Sequence, residues 1–369
     1  MSVIDAEQRE AMRETFARLL DDRCSEADMR RMIATEDAHD SALWQALAET
    51  GLLATLVPEE HGGLGGGAME IELLMEEAGR VLLPGPFFSS AVLATALLAE
   101  SGDEAAKARL LPQLADGTLI GTAALAGAAG LWNGEDSDLT ASGSGETVAL
   151  SGSACFVSDA AVAGLLLVVA GRGAARRLYE VTDPTELNIT RNKAFDLTQR
   201  LARVDFAEVA AREIVGGDSA AIDRALDLVR IAKAGREAGA ARRNFEFTVE
   251  YLHTRVQFGR QIGGFQAVKH MAADLLIESE SAVSGARAAA EAHATASAEA
   301  AELIAMASFA VNEAQVKVAF DGLQLHGGIG FTYEHPCHLY LRRAWHDAKF
   351  LGPNEIARDR FVAILEMQA

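Results

Sequence analysis

The stretch RVQFGRQIGGFQ, residues 255–266, separates two long helix-forming segments and gives the strongest indication of the architecture of the chain. The residues before it, from 219 onward, carry apolar side chains at helical spacing and are rich in strong helix formers. Two further helix-forming segments follow, 265–294 and 300–328, both with alanine on more than one face. Because small residues allow close helix–helix contact, these segments predict a bundle of long antiparallel helices.

Upstream of this bundle the pattern changes twice. Residues 5 to about 114 repeat the helical spacing, as in DAEQREAMRETFARLLDDR at 5–23. From about 119 to 210, short β-like runs such as TVALSGSACFVS at 147–158 alternate with clusters of Gly, Asn, Asp and Ser. No helical pattern separates these runs, so antiparallel pairing is expected. We predict a mainly α, α+β protein with a helical domain at 1–117, a β domain at 118–214 and a helical bundle at 215–369.

The composition argues against several partners and locations. The 369 residues include 33 Lys and Arg against 53 Asp and Glu, a formal charge of −20. Nucleic acid or an anionic membrane would need a basic surface instead. The longest apolar runs are shorter than the roughly 20 residues of a membrane span, and the charged start of the sequence does not resemble a signal peptide. These features predict a cytoplasmic protein with no membrane span.

The cysteines give no sign of a metal site. Cys24, Cys155 and Cys337 are far apart and odd in number. They have neither metal-ligand spacing nor the pattern of a disulfide framework, which suits a reducing compartment. The sequence therefore predicts no metal.

Three motifs carry a resemblance to a known family. VPEEHGG at 57–63 resembles a V-P-E-E-x-G-G turn, residues 255–266 match R-x-x-F-G-x-x-I-x-x-F-Q, and QLHGGIGF at 324–331 matches Q-x-x-G-G-x-G-F/Y. In this order, the motifs resemble the acyl-CoA dehydrogenase family across nearly the whole chain. The resemblance implies an N-terminal helical domain, a middle antiparallel β-barrel-like domain and a C-terminal four-helix bundle, assembled as a tetramer.

The resemblance also implies FAD bound between subunits. The family's motifs place the diphosphate and adenosine end of FAD against Arg255, Phe258, Gln266, Gln324, His326, Gly327 and Gly328. A guanidinium can grip a pyrophosphate with two hydrogen bonds, and glycines let backbone amides approach a ligand closely. Taken singly, the arginine could instead form a surface ion pair and the glycines could cap a helix.

The flavin-ring end of the FAD site is implied at Phe156 and Ser158, where the family carries W/F-I/V-T/S-N. Two features depart from the family. Asp159 replaces the usual Asn, and the stretch AALAGAAGLWNGEDSD at 123–138 lacks the family's Thr-Glu-Pro element. Both departures count against a normal flavin pocket made by this chain's own β domain.

Contact with the CoA part of an acyl-CoA substrate is implied at Asp227 and Arg230, because DLVR at 227–230 resembles the family's D-x-x-R. The two side chains share a helix face at i and i+3, so an ion pair within the helix is the alternative.

The general base of the family is missing from both of its known positions. In most members it is the Glu of Y-E-G-T, nine residues after the arginine of L-Y-R-D-A, and counting from Arg342 gives Leu351. In a minority it precedes the arginine of D-x-x-R, which here gives Val229. Neither side chain can accept a proton, so no catalytic residue is predicted. Three carboxylates nearby in sequence are expected to be solvated or capping groups: Glu334, Asp347 and Glu355.

The motif pattern leads to one main hypothesis and three alternatives. The main hypothesis is the base-less subunit of a heteromeric FAD-dependent acyl-CoA dehydrogenase, of the type that acts on steroid side chains, completing its partner's FAD site in an α2β2 assembly. Electron-transfer flavoprotein is the implied electron acceptor. The alternatives are a homotetrameric acyl-CoA dehydrogenase with a relocated base, a flavin-dependent monooxygenase on the same scaffold, with His326 or His338 as candidate residues, and a non-catalytic binding protein.

Overall fold

The N-terminal part of the chain is helical. The computed structural model describes residues 4–127, 138–143 and 145–368. Six α-helices precede the first strand: α1 (Ala6–Arg23), α2 (Glu26–Ile33), α3 (Ser41–Glu49), α4 (Ala68–Arg80), α5 (Thr95–Ala99) and α6 (Glu104–Ala115). Carboxylates fix where several of them begin. Asp5, for example, accepts a hydrogen bond of 2.8 Å from the backbone N–H of Gln8 and so caps α1.

The middle part of the chain is one sheet. Its strands are β1 (Gly121–Ala124), β2 (Thr140–Ser142), β3 (Val148–Ser158), β4 (Leu165–Ala170), β5 (Arg177–Val181), β6 (Asn188–Arg191) and β7 (Leu201–Asp218). Their order is β1-β4-β5-β7-β3-β2, with β6 also paired to β7. Ala202, Val204 and Phe206 alternate along β7 and point into a buried apolar cluster, as the period of two requires.

The expectation of purely antiparallel pairing is wrong at one edge of this sheet. Strand β1 pairs with β4 in parallel, with Gly121 opposite Leu165 and Ala124 opposite Val168. A parallel pair requires a long crossover connection, and here the chain between the two strands passes through β2 and β3. The sheet is therefore mixed, although its other pairs are antiparallel.

The C-terminal part confirms the predicted long helices. Helix α7 (Ser219–Thr254) has 36 residues, and a small hairpin of β8 (Val256–Gln257) and β9 (Arg260–Gln261) follows it. The remaining helices are α8 (Gln266–Ala294), α9 (Ala300–His326), α10 (Cys337–Asp347) and α11 (Asn354–Gln368). Among the described residues, α-helices thus end at 115 and resume at 219, and the domain limits at 117 and 214 stay predictions.

Helices α4 and α7 pack in unusually close contact. A Cβ atom at Gly79 would lie 1.9 Å from a backbone oxygen of α7, and one at Gly239 would lie 1.8 Å from the backbone oxygen of Glu76. Only glycine fits at such a crossing. The N-terminal helices and the bundle therefore share one continuous core.

One stretch among the described residues, Ala300–Phe331, is long and apolar enough to cross a membrane by length and composition alone. Half of its most apolar window is buried inside the protein. A core helix passes the same test, so the stretch is weak evidence for a span.

Candidate cofactor and substrate site

An aromatic cavity lies between the end of β3 and α10. Phe156 adopts a φ of 56° beside a bulge in β3, and 39 % of the residue stays exposed. Together with Phe195, Trp345 and Phe350 it lines a cavity of about 350 Å³. Apolar walls around a volume of this size suit a flat aromatic ligand.

Ser158 and Asp159 end β3 in a buried setting. The Oγ atom of Ser158 is buried and has no hydrogen-bond partner in the part of the chain that the structure describes. The carboxyl group of Asp159 accepts a 2.6 Å hydrogen bond from the hydroxyl of Ser89. Burial raises the pKa of Asp159 to about 6, although this hydrogen bond and nearby arginines act in the opposite direction. Part of the stretch at 123–138, namely 128–137, lies outside the described residues.

The residues predicted for the adenosine end lie on the loops at one end of the bundle. Arg255 ends α7, and its carbonyl accepts a 2.9 Å hydrogen bond from the N–H of Ile262, which closes the β8–β9 hairpin. Phe258 at the hairpin tip is 92 % exposed. Gln266 begins α8 and Gln324 lies in the last turn of α9, both exposed.

The glycine turn joins the same surface. Gly327 ends α9 with a φ of 61°, and a Cβ atom added at Gly327 or Gly328 would meet no atom within 4 Å. The backbone is therefore open to a ligand or to another chain. The ring of His326, just before the turn, stacks on Tyr251 of α7 at 4.5 Å, which places the turn beside the hairpin end of α7.

His326 differs from its predicted neighbours because it is buried. Only 3 % of the residue is exposed, and its ring lies 4.4 Å from that of His335. His335 and the buried Cys337 complete a cluster with it that the sequence analysis missed. The sequence carries a signal for it in the spacing H-x8-H-x-C, which combines two histidines with one cysteine instead of pairing cysteines.

Asp227 and Arg230, which the resemblance assigns to the CoA part of the substrate, form an ion pair within α7, as the alternative interpretation predicted. Asp227 accepts from Arg230 at 2.7 Å and also from Arg360 of α11 at 2.8 Å. Burial, followed by the positive charge of Arg360, lowers the pKa of Arg230. Contact of this pair with CoA stays a prediction.

Neither position of the missing base carries a side chain that can accept a proton. Val229 is fully buried in α7, and Leu351 has a φ of 64° in the loop between α10 and α11. Leu351 lines a cavity of only about 50 Å³, whose charged walls are the cations Arg230, Lys233 and Arg360. This volume is far below the roughly 300 Å³ at which small-molecule pockets begin.

The carboxylates that could replace the missing base are either paired with cations or exposed. The expectation that Asp347 is solvated or caps a helix is wrong, because it is fully buried and pairs with Arg236 at 2.5 Å. Glu237, also fully buried, pairs with Lys233 at 2.6 Å, and burial raises its pKa. Glu334 and Glu355 are both exposed. None of the four lines the cavity that contains Leu351.

The protein combines a helical domain, a mixed sheet and a bundle of long helices. An aromatic cavity lies beside the sheet, and the motif loops lie at one end of the bundle. These features define the acyl-CoA dehydrogenase fold. The chain belongs to the acyl-CoA dehydrogenase family. It matches the family's N-terminal domain over residues 6–118 and its C-terminal domain over residues 216–365.

Individual relatives cover nearly the full length of the chain. Acyl-CoA dehydrogenase IpdE2 of Mycobacterium tuberculosis is 34 % identical over 356 residues, which cover 95 % of this chain and 96 % of the relative. A variant of the Tcur3481-Tcur3483 steroid ACAD superposes with a TM-score of 0.90 at 29 % identity, covering 98 % of both chains. The ChsE4-ChsE5 complex from Mycobacterium tuberculosis gives a TM-score of 0.89 at 27 % identity, covering 99 % of both chains.

FAD is the cofactor of this family, and the residues present fit it at both ends. The cavity beside Phe156 is wide enough for a flat ring. The buried hydroxyl of Ser158, two residues further along β3, has no hydrogen-bond partner among the described residues, although it does not line this cavity. At the other end, an anion such as the diphosphate of FAD could be bound by the guanidinium of Arg255 and by backbone amides at the open Gly327 turn. None of the residues predicted for the adenosine end lines the cavity beside Phe156.

Proposed function

We propose that this chain is the subunit of a heteromeric FAD-dependent acyl-CoA dehydrogenase that lacks the catalytic Glu and completes the FAD site of its partner. FAD held at this site would supply a hydride acceptor for the β carbon of an acyl-CoA thioester. The partner supplies the base that removes the α proton, and electron-transfer flavoprotein is the electron acceptor of the complex.

The main support for this proposal is that the cavity around Leu351 is small and has no carboxylate or imidazole among the described residues on its walls. A base must reach the α proton within hydrogen-bond distance, directly or through one water molecule. Leu351 and Val229 have no proton-accepting atom, and a cavity of about 50 Å³ leaves no room for a thioester and its acyl chain. The charged groups on its walls are cations, which would repel a proton rather than accept one.

The exposure of the motif loops supports the sharing of a cofactor between chains. Phe258 is an aromatic side chain that is 92 % exposed, and Phe331 beyond the glycine turn is 70 % exposed. Aromatic side chains of this exposure are common where a second chain or a ligand covers them. Together with Arg255 and Gly327, they form a surface suited to the adenosine end of FAD. The flavin ring of the same FAD would then lie in the partner chain.

The relatives support a proposal for the substrate class. Two structures that this chain resembles at 29 % and 27 % identity are named as two-component proteins, and one of these is a steroid ACAD. We infer a bulky CoA thioester, such as one with a steroid side chain, as the substrate of the complex.

Co-expression with the neighbouring reading frame tests this proposal. We expect the two chains to purify together at the mass of an α2β2 complex, with flavin in the complex and substoichiometric flavin in this chain alone. Anaerobic addition of a steroid acyl-CoA should bleach the flavin of the complex and leave this chain alone unchanged. A stable homotetramer with one FAD per chain that an acyl-CoA bleaches would contradict the proposal.

A homotetrameric dehydrogenase is the second candidate, because the aromatic cavity beside Phe156 belongs to this chain and is large enough for a flavin ring. Leu351→Glu with Leu351→Gln as its control separates the two candidates. In the two-component complex we expect neither substitution to change turnover, since the reaction uses the partner's base. A homotetramer that acts through this chain's own cavity should respond to the new carboxylate and not to the amide.

A further inference from the structure

We propose that His326, His335 and Cys337 form a binding site for one transition-metal ion, Zn²⁺ or Cu⁺, at the junction of α9 and α10. The ligand atoms of the three residues lie within 4.8 Å of one another. The proposed function uses no metal, and the buried His326 lies behind the exposed surface proposed for FAD rather than on it.

His326 is oriented as a metal ligand. Its Nδ1 atom lies 2.8 Å from the carbonyl oxygen of Gly322, and a carbonyl can only accept, so Nδ1 carries the proton. The lone pair is therefore on Nε2. That atom is buried and has no hydrogen-bond partner among the described residues. Metal-bound histidines commonly donate their second ring nitrogen to a carbonyl in this way.

Aromatic neighbours hold the two imidazole rings in place. Tyr251 stacks on His326 at 4.5 Å, and Phe247 meets the rings of His326 and His335 edge to face at 5.7 and 5.8 Å. Among the described residues, a ring nitrogen of His335 accepts one hydrogen bond, from the backbone N–H of Cys337 at 3.4 Å, and this bond is weak. His335 can therefore offer a ring nitrogen to an ion.

The donor set indicates the kind of ion. Two neutral imidazoles and one thiolate suit Zn²⁺ or Cu⁺ and not Mg²⁺ or Ca²⁺, which take oxygen ligands. Bond lengths of about 2.0 to 2.3 Å around a tetrahedral Zn²⁺ place its ligand atoms roughly 3.3 to 3.7 Å apart. The cluster therefore needs to contract by about 1 Å. Binding converts the thiol of Cys337 into a metal thiolate, and its proton passes to solvent.

An ion can reach the cluster and would have a structural effect. His335 also lines a cavity of about 590 Å³ with Glu26 and Tyr340, which gives a path from solvent and room for a water molecule as fourth ligand. The ligands stand on either side of the glycine turn that begins at Gly327. A bound ion would therefore fasten this turn to the bundle.

Metal content and Co²⁺ spectroscopy test the site. After incubation with Zn²⁺ and dialysis against metal-free buffer, we expect about one zinc per chain. Co²⁺ should give a thiolate-to-cobalt charge-transfer band, and Mg²⁺ should not compete. Cys337→Ser should abolish the band, and Cys155→Ser, which removes a cysteine of β3, should retain it.

A second variant covers the case in which Cys337→Ser does not fold. His335→Gln changes a half-buried side chain, so we expect a native circular dichroism spectrum with Zn²⁺ affinity reduced beyond the 10–100-fold that loss of a supporting contact costs. Zinc well below one per chain in the wild type, or equal retention by the wild type and a folded ligand variant, would overturn the proposal.

Discussion

Replacement of Asp159 by Asn removes a buried carboxyl group from the end of β3 and changes little else. The residue has a φ of 53°, which Asn tolerates as well as Asp does. The amide oxygen can still accept the hydrogen bond that Ser89 donates at 2.6 Å. The substitution therefore isolates the effect of one charge.

The magnitude follows from the pKa of Asp159, which is about 6 in the folded protein against an ordinary value of 3.8. Between these pH values the native state binds more protons than the unfolded state does, so the free energy of unfolding falls as the pH rises. The stabilisation is complete below about pH 4 and lost above about pH 6. Two pH units correspond to about 3 kcal/mol. Because Asn does not titrate, Asp159→Asn should gain about 3 kcal/mol over the wild type from pH 3.5 to pH 7.

Urea unfolding at several pH values, followed by circular dichroism and tryptophan fluorescence, measures this difference. Asp205→Asn is the control of opposite sign. The hydrogen bond from Ser153, followed by that from Arg203, lowers the pKa of Asp205, so its stabilising effect is present above about pH 4 and lost at lower pH. A stability difference between Asp159→Asn and the wild type that stays constant with pH would refute the assignment of a raised pKa to Asp159.

Three further predictions concern packing, buried charge and association. Arg343→Met leaves the fully buried Asp196 without the guanidinium that contacts it at 2.7 Å, so the free energy of unfolding in urea should fall by about 3–5 kcal/mol. An unchanged unfolding midpoint would show that the pair is not formed. Gly239→Ala places a methyl group 1.8 Å from a backbone oxygen of α4 and should lower the free energy of unfolding by about 3 kcal/mol, whereas Gly285→Ala, with a nearest contact of 3.4 Å, should be neutral or stabilising. Phe258→Asp should alter stability by less than about 0.5 kcal/mol and reduce co-purification with the partner chain about tenfold, and full recovery of the complex would argue against an interface at this loop.

Local signals made the helices and the motif loops predictable. The apolar spacing before residue 255 is strong enough to define α7, and the glycines after Phe258 mark the β8–β9 hairpin that follows it. Relationships between distant residues were not accessible in the same way. The parallel pairing of β1 with β4 depends on which edge of the sheet is free, and a single sequence does not encode that in any short window.

Candidate site residues show the same division. The pairing of Asp227 with Arg230 was foreseeable from their i, i+3 spacing, whereas its second partner, Arg360, lies 133 residues away in sequence. His335 and Cys337 meet His326 only because the chain turns back after α9. Burial of His326 likewise depends on Tyr251 and on packing that periodicity does not reveal.

The tight crossing of α4 and α7 restricts how the molecule can flex. With backbone against backbone at Gly79 and Gly239, the two helices cannot slide or rotate past each other without a clash. Helices α4 and α7 must then move together as one rigid body. The sheet is joined to α7 at Asp218, where β7 ends and α7 begins without a linker, and to the N-terminal part of the chain through the hydrogen bond from Ser89 to Asp159. Room for a large ligand beside Phe156 is therefore expected to come from side-chain movement around the cavity rather than from sliding of these helices.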